Sequence, residues 1–430
     1  MASTIRLSRT VEWESTLWGS RPRWTSEPSF TDIEHTTRQY LNLPTDAPFN
    51  VTFFAEGGFN KLYSIEVPEH EYLIRVALPV DPGKKTISEV ATLKFVREQC
   101  GIDLVPQVVA YDADAVSPNN FLGFEWMIME KLPGGVLESK WQDMEWEAKQ
   151  VLVKTIVGFL AKLYDHPFLG IGNVYPGECS PDKDTTERLV IGPIVSMVFF
   201  WDKHYDQDVP RGPFKSSYGW LAARLTFILN DAAETLRTSD DEDDIEEAEE
   251  SQKLAERLIR LLPSLFTQDV EAPERTIIHH DDISFHNVLV DDSGQLTGLV
   301  DWECVSALPL WKACQFPSFL IGPSRKERPD QTSYAVEEDG QPNELYFEHL
   351  REWEKTQLRA LFIEEMERVR PEWVNEHHAA DSKRKADLEF AIQYCDDELS
   401  RRKVKKWVDY MESGEKEQSE YLSLQTMLFG

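Results

Sequence analysis

Residues 277–303, IIHHDDISFHNVLVDDSGQLTGLVDWE, hold several ionisable side chains between short apolar runs. Four residues separate Asp282 from Asn287, and Asp301 follows Asn287 by fourteen positions. A carboxylate such as Asp282 can accept the proton of an attacking hydroxyl group. Asn287 and Asp301 offer oxygen atoms, which Mg²⁺ prefers as ligands. The residue types and their spacing therefore predict a general base beside a magnesium site.

The histidines of this segment suggest an alternative hypothesis, a divalent metal site with His279, His280 and His286 as ligands. Zinc prefers nitrogen and sulfur ligands, and no downstream His or Cys completes a typical zinc spacing. His280 is therefore predicted to brace the loop. The apolar run LTGLV before Asp301 predicts that Asp301 is not exposed, and Glu303 is interpreted as structural or as a contact to a cationic acceptor.

The chain upstream supplies the elements that must position a second substrate. Runs rich in β-branched and aromatic residues, NVTFF, LYSIEV and YLIRVA, predict three strands within residues 50–77. Residues 86–98 predict a helix, and LVPQVVAYD and GFEWMIMEKLPGG predict two further strands. The turn AEGGFNK lies between the first two strands, so the backbone N–H groups around Gly57, Gly58 and Asn60 could cover phosphate groups. A glycine pair alone is a weak signal.

This order of motifs resembles the aminoglycoside phosphotransferase and choline kinase superfamily over roughly residues 55–319, and its large fungal members similar to altered-inheritance-of-mitochondria proteins. EGGFNKLY, LIRVALPV, SEVATLKFVRE, HHDDISFHNVLVD and VDWECVSALPLW carry the resemblance. It implies a bilobal, protein-kinase-like α+β fold, with a small five-stranded antiparallel lobe and one helix before a mainly helical lobe. It also implies ATP and Mg²⁺ as cofactors, Asp282 as catalytic base, and Asn287 and Asp301 as metal ligands.

The same resemblance assigns nucleotide-binding residues in the small lobe. Arg75 occupies the strand position where kinases have lysine, and Glu89 in the next helix is its expected partner, although Glu89 could instead be a solvated helix residue. Arginine retains the charge but not the geometry of lysine. The backbone at Glu130 and Leu132 is expected to hydrogen-bond adenine.

The predicted organisation has three parts: a segment 1–49 that packs on the small lobe, an ATP-binding lobe 50–132 and a helical lobe 133–430. Residues 277–303 form the catalytic loop of the helical lobe. Nine of the eleven residues from 240 to 250 are acidic, so the insert 238–251 is predicted to be disordered.

The composition limits the expected partners. The net charge of −31 disfavours binding to nucleic acid. No run of eighteen apolar residues occurs, so no membrane span is predicted. Five scattered cysteines favour a reduced compartment, here the cytoplasm, while the basic start MASTIRLSRT is a weak mitochondrial hint. The acidic composition favours a cationic acceptor, with the oligomeric state left open.

Three functional hypotheses remain. The intact set Asp282, Asn287 and Asp301 favours a kinase that phosphorylates a small-molecule hydroxyl group. Arg75 favours a pseudokinase that binds nucleotide or a protein partner without turnover. A protein kinase ranks third, because Ser284 stands where serine/threonine kinases usually have lysine, and no D-F-G or A-P-E motif follows.

Overall fold

The computed structural model describes residues 11–429 except 17–18, 45, 69, 178–187, 339, 414–420 and 422. In this part of the chain the strands are β1 (Glu12–Thr16), β2 (Gly19–Arg23), β3 (Asn50–Glu56), β4 (Asn60–Val67), β5 (His70–Ala77), β6 (Val108–Asp112), β7 (Glu125–Glu130), β8 (Gly135–Val136), β9 (Phe168–Leu169), β10 (Val174–Pro176), β11 (Leu189–Ile191), β12 (Arg275–His279), β13 (Val288–Val290), β14 (Leu296–Leu299) and β15 (Ser306–Pro309). The α-helices are α1 (Phe30–Tyr40), α2 (Lys84–Lys94), α3 (Leu137–Lys140), α4 (Trp146–Tyr164), α5 (Met197–Phe200), α6 (Ser217–Thr238), α7 (Glu242–Leu265), α8 (Leu310–Ala313), α9 (Glu344–Val369), α10 (Pro371–His378), α11 (Ala380–Tyr394), α12 (Glu398–Ser413) and α13 (Leu424–Phe429).

The chain forms two compact units. Unit 1 combines the described residues up to Gly134 with Gly172–Asp208 and Thr297–Ser306, and unit 2 contains Gly135–Ile171, Val209–Leu296 and the described residues from Ala307 onward. The sequence assigned everything after residue 132 to one helical lobe, whereas two later segments lie in unit 1. Local periodicity could not indicate this return of the chain, because it depends on contacts between distant residues.

Unit 1 is built on a five-stranded antiparallel sheet with the order β3-β4-β5-β7-β6. Alternate residues of the central strands face a core that includes Tyr63, Ile65 and Ile74, and Ile33 of α1 lies in the same core. The predicted five strands and single helix of the small α+β lobe are confirmed. Helix α2 ends at Lys94 and continues as one π-helical turn, Phe95–Gln99.

A buried carboxylate fixes the start of α2. The side chain of Glu125 accepts hydrogen bonds from the backbone N–H of Gly83 at 2.7 Å and from Thr86 Oγ1 at 2.6 Å. Gly83 has a φ of +74°, a conformation that glycine adopts without strain. Burial raises the pKa of Glu125 above its usual value. The first turn of α2, which includes Lys85, is therefore held at a defined position on the sheet.

The described residues of segment 172–208 belong to unit 1, where they contribute to an aromatic core. Phe59, beside the glycine turn, packs edge-to-face on Phe200 and on Trp201, with ring centroids 5.3 and 5.9 Å apart. The rings of Trp13 in β1 and Trp201 also pack edge-to-face, with centroids 5.0 Å apart. The glycine turn is thus anchored on one side by a buried phenylalanine.

Unit 2 is mainly helical, as predicted. Helices α4 and α9 pack together, and so do α6 and α7. Glu354 of α9 accepts hydrogen bonds from Trp141 Nε1 and from Lys149 Nζ, each at 2.8 Å. These contacts tie α9 to the chain around α3 and α4. Among the described residues no helix is long and apolar enough to cross a membrane.

The prediction that the acidic insert is disordered is wrong. The acidic residues begin α7, where the Asp241 side chain accepts a hydrogen bond from the N–H of Asp243 at 2.9 Å. Carboxylates at a helix N-terminus are stabilised by the helix dipole. Ala248 and Ser251 are buried against neighbouring elements. The stretch alternates between solvent and a packed face, which a count of charges does not reveal.

Candidate active site

The loop between β12 and β13 in unit 2 presents Asp282 to solvent. Asn287 Nδ2 donates hydrogen bonds to Asp282 Oδ2 at 2.7 Å and to the Asp282 backbone oxygen at 3.0 Å. Ser318 Oγ lies 3.5 Å from Asp282 Oδ1, at the limit of a hydrogen bond. The carboxylate is therefore oriented through one oxygen, while the other remains the better proton acceptor. Because the Asn287 amide nitrogen faces Asp282, its Oδ1 is the atom left to bind a hard cation.

Apolar residues alternate with these polar ones and anchor the loop. Ile283 and Phe285 are buried. Phe285 packs edge-to-face on Trp141, with ring centroids 5.0 Å apart. The Ile283 carbonyl accepts a hydrogen bond from the N–H of Phe319 at 3.0 Å. His280 is 5% exposed, and its Nδ1 accepts from the N–H of Asp282 at 3.3 Å. Buried side chains therefore hold the loop in place, as expected for His280, while Asp282 is exposed to solvent.

The histidines are not arranged as a metal site within the described residues. No group of three or more His, Cys, Asp or Glu side chains in this part of the chain could hold a metal ion. Burial is the main cause that lowers the pKa of His279, to about 4. His286 is exposed, in contrast to His279 and His280. The structure adds no support for a zinc site with these ligands.

In unit 1 the structure brings Arg75 and Glu89 together as a buried ion pair. Both residues are at most 5% exposed. Burial lowers the pKa of Arg75, an effect opposed by the negative charges of Glu303 and Asp301. This is the strand-to-helix pair found in protein kinases, with arginine in place of lysine. Glu89 is therefore not a solvated helix residue.

A second cation lies beside this pair, and its presence in the site was not predicted from the sequence. Lys85 Nζ contacts Glu303 Oε2 at 2.6 Å and donates to Asn60 Oδ1 at 3.0 Å. Asn60 Nδ2 in turn donates to Glu303 at 2.7 Å. Burial alone would raise the pKa of Glu303, but Lys85 and Arg75 outweigh burial and lower it to about 2. Lys85 precedes Glu89 by four residues, and this one-face helical spacing was the available signal.

Asp301 lies in the same unit, on backbone that is rarely adopted outside glycine. Its φ is +64°, and that of Cys304 is +61°. The expectation that Asp301 is not exposed is wrong, because the turn carries its carboxylate to solvent after the buried Leu299. An exposed oxygen ligand on strained backbone is typical of a functional position. The carboxylate is of the type that Mg²⁺ prefers.

The remaining predicted binding residues have different local settings. Apart from chain neighbours, no heavy atom of the described residues lies within 4 Å of a Cβ built on Gly57 or Gly58, so packing in this part of the chain does not require either glycine. The N–H of Glu130 donates to the Gln107 carbonyl at 2.9 Å, and an adenine contact by the Glu130 carbonyl stays a prediction. The side chain of Leu132 closes over Gly298, where a Cβ would lie 2.4 Å from Leu132 Cδ1. An adenine contact by the backbone of Leu132 stays a prediction.

Comparison with known proteins identifies one matching family and several more distant relatives. Residues 50–311 match the phosphotransferase enzyme family. The chain is 25% identical over 310 residues to a subtelomeric hrmA-associated cluster protein of Aspergillus fumigatus, covering 63% of this chain and 60% of that protein. It is also 25% identical over 289 residues to altered inheritance of mitochondria protein 9, mitochondrial, of Yarrowia lipolytica, covering 59% and 48%. The chain thus spans about half to three fifths of the length of these relatives.

Solved structures of similar fold include aminoglycoside phosphotransferase APH(4)-Ia. It is 13% identical, with a TM-score of 0.44 and coverage of 88% of this chain and 96% of that one. The streptomycin-ATP-APH(2")-IIa ternary complex is 11% identical, with a TM-score of 0.44 and coverage of 89% and 92%.

Proposed function

Because the chain belongs to the phosphotransferase enzyme family, we propose that it transfers the γ-phosphoryl group of ATP to a hydroxyl group of a small molecule. The observation that carries this proposal is the exposed Asp282 carboxylate, held at Oδ2 by Asn287. Asp282 Oδ1, whose hydrogen-bond contact among the described residues is the long one to Ser318, receives the proton of the attacking hydroxyl.

The cofactor chemistry follows from the donor atoms. Asn287 Oδ1 and the Asp301 carboxylate would hold Mg²⁺, whose charge offsets that of the phosphate groups when the ion is bound. Arg75 and Lys85 supply two buried positive charges in unit 1, each balanced by a carboxylate. We assign both cations to the binding of the nucleotide phosphates. Lys85 thereby provides the ammonium group that the strand position lacks.

A small acceptor is favoured over a protein substrate by the chain after Asp301. Trp302, Val305, Ala307 and Trp311 are each at most 4% exposed. A protein kinase would have an exposed activation loop here, which shapes a platform for peptides. This stretch is instead packed, so it offers no such platform.

The substitution Asp282→Asn tests the catalytic assignment. Asparagine preserves the shape but cannot accept the proton, so transfer to hydroxylated metabolites should fall roughly 10²- to 10⁴-fold. The affinity for Mg·ATP, measured by calorimetry, should stay close to that of the wild type. The control is Asp292→Asn, since the Asp292 side chain is 97% exposed and pairs with Lys140.

The same assay separates the enzyme from a pseudokinase, which Arg75 at the lysine position favours. A wild-type protein that binds Mg·ATP and transfers phosphate to no metabolite would be a pseudokinase. Transfer that survives Asp282→Asn undiminished would exclude Asp282 as the base.

A further inference from the structure

Three basic residues of α9 lie on one face of the helix, next to the catalytic loop of unit 2. Arg351, Lys355 and Arg359 are four residues apart, a spacing that aligns their side chains. The Arg351 guanidinium lies 5.0 Å from the centre of the Phe285 ring, and Lys355 Nζ lies 5.1 Å from it. Phe285 follows Asp282 by three residues. This face of α9 therefore lies against the loop that carries the proposed base.

Two of the three cations are satisfied by the protein. Arg351 Nη1 contacts both carboxylate oxygens of Glu138, at 3.0 and 3.2 Å. Arg359 donates to backbone oxygens of the segment after the catalytic loop, Leu320 at 2.7 Å, Pro323 at 3.2 Å and Gly322 at 3.3 Å. We assign structural roles to these two arginines, because Arg351 is paired with a carboxylate and Arg359 binds three backbone oxygens.

Lys355 differs from both. Its Nζ donates to the Ile321 carbonyl at 3.0 Å, and no carboxylate of the described residues lies within 4.0 Å of it. The acidic neighbours Glu138 and Glu352 are engaged by Arg351 and by Arg325, the latter at 2.9 Å. Lys355 is partly buried, and burial, followed by the charges of Arg351 and Arg359, lowers its pKa. An ammonium group in this setting lacks the anion that would offset its desolvation.

The segment 318–322 contacts both Asp282 and Lys355. A Cβ built on Gly322 would lie 3.8 Å from Lys355 Nζ and, apart from the two chain neighbours, would meet no other heavy atom of the described residues within 4 Å. Ser318, which contacts Asp282, and Ile321, which contacts Lys355, are three residues apart around a 3-10 turn. Such a turn advances about 2 Å per residue, so the backbones of Ser318 and Ile321 are separated by roughly 6 Å along the turn. That separation is within the reach of a small metabolite.

We infer that Lys355 binds an anionic group, a carboxylate or a phosphate ester, on the acceptor whose hydroxyl group Asp282 deprotonates. This inference rests on the proposed function. It differs from the cationic acceptor favoured by composition, because nine of the 31 excess negative charges lie in residues 240–250 and the overall charge does not report on the surroundings of Asp282. Local charge beside the base is the better guide, since exposed charges beyond about 10 Å are screened at physiological salt.

The first test fractionates a metabolite extract by ion exchange into anionic, neutral and cationic pools, and measures transfer from labelled ATP. The wild type should label the anionic pool. Treating that pool with phosphatase before the assay removes a phosphate-ester acceptor and leaves a carboxylate acceptor. Labelling confined to the neutral or cationic pool would overturn the inference while leaving the proposed function intact. Absence of transfer to every pool would overturn both.

The second test uses Lys355→Met, Lys355→Arg and the exposed control Lys406→Met. Loss of a charge-assisted hydrogen bond should raise the KM for the labelled pool roughly 10- to 100-fold, with kcat and the KM for ATP changed little. Lys355→Arg should recover most of the affinity, and Lys406→Met should match the wild type. An unchanged acceptor KM in a folded Lys355→Met protein would exclude Lys355 from the acceptor site.

A third measurement does not depend on turnover. Inorganic phosphate or acetate should slow acetylation of Lys355, followed by mass spectrometry, and should leave acetylation of Lys406 unchanged. Protection by phosphate alone would favour a phosphate ester, and protection by acetate would favour a carboxylate. Equal acetylation of Lys355 with and without both anions would show that no anion site exists there.

Discussion

Glu303 in unit 1, which is partly buried, and Glu389 in unit 2, which is fully buried, are carboxylates that each lie beside two cations. Lys85 contacts Glu303 at 2.6 Å, and Arg75 lies nearby. Lys312 contacts Glu389 at 2.8 Å, and Arg224 completes that network. In each case burial would raise the carboxyl pKa, but the two cations lower it to about 2. The two networks are alike in chemistry and differ in backbone.

Glu389 lies within α11 and joins α6 to α8 through its cations. Glu303 lies between Asp301 and Cys304, both with positive φ. The described non-glycine residues with positive φ, Asn42 and Asp202 included, all belong to unit 1. Strained backbone is retained where function requires a particular side-chain position. The comparison supports the proposal that the network in unit 1 serves nucleotide binding, whereas the network in unit 2 joins helices and serves stability.

The largest effect is expected from Glu389→Gln. This change leaves Arg224 and Lys312 without their carboxylate, and breaking a buried pair costs about 3–5 kcal/mol of unfolding free energy. Urea unfolding measures the loss, and calorimetry should find the Mg·ATP affinity of the folded variant unchanged. Glu367→Gln, an exposed change on α9, should stay within about 0.5 kcal/mol of the wild type. A strong loss of nucleotide affinity in Glu389→Gln would remove the distinction between the two networks.

Glu303→Gln should lower stability by up to about 3 kcal/mol and weaken Mg·ATP binding as well. The folded-state pKa of Glu303 is depressed, so its contribution is fully present above the unfolded value, near 4.5, and is lost as the pH falls toward 2. The difference in unfolding free energy between wild type and variant should therefore shrink as the pH falls below about 4.5. Urea unfolding at several pH values measures this difference. A difference that stays constant with pH would mean that Glu303 is not held ionised by its cations.

The smallest stability effect is expected from Asp301→Gly. Relief of the positive φ gains about 1–3 kcal/mol, and the greater freedom of glycine in the unfolded chain costs about 0.5–1 kcal/mol. Stability should therefore stay unchanged or rise by up to about 2.5 kcal/mol, whereas Mg·ATP affinity should fall. Cys304→Gly makes the same backbone change without removing a carboxylate, and it should retain Mg·ATP binding. Asp301→Gly with wild-type Mg·ATP affinity would remove Asp301 from the metal site.

Short-range patterns in the sequence predicted the small sheet, α2 and the catalytic loop, because strand alternation, helical spacing and loop motifs are local. Asn60 and Glu303 are 243 positions apart, so their hydrogen bond has no local pattern. The same holds for Lys85 with Glu303. The acidic start of α7 was misjudged because composition does not show which face of a helix packs. Asp301 is exposed and has a positive φ, and the apolar residues before it encode neither property.

Unit 1 is assembled from three stretches of chain, the last ending at Ser306. During synthesis, Lys85 leaves the ribosome more than two hundred residues ahead of the carboxylate that balances it. An N-terminal fragment that stops at Gly134 contains the complete five-stranded sheet but lacks Glu303 and the aromatic cover of Phe59. Unit 1 is consequently not a module that an N-terminal fragment could supply alone. Unit 1 can fold completely only after most of the protein has been translated. Gene fusions or truncations within the first 306 residues therefore leave unit 1 without part of its chain.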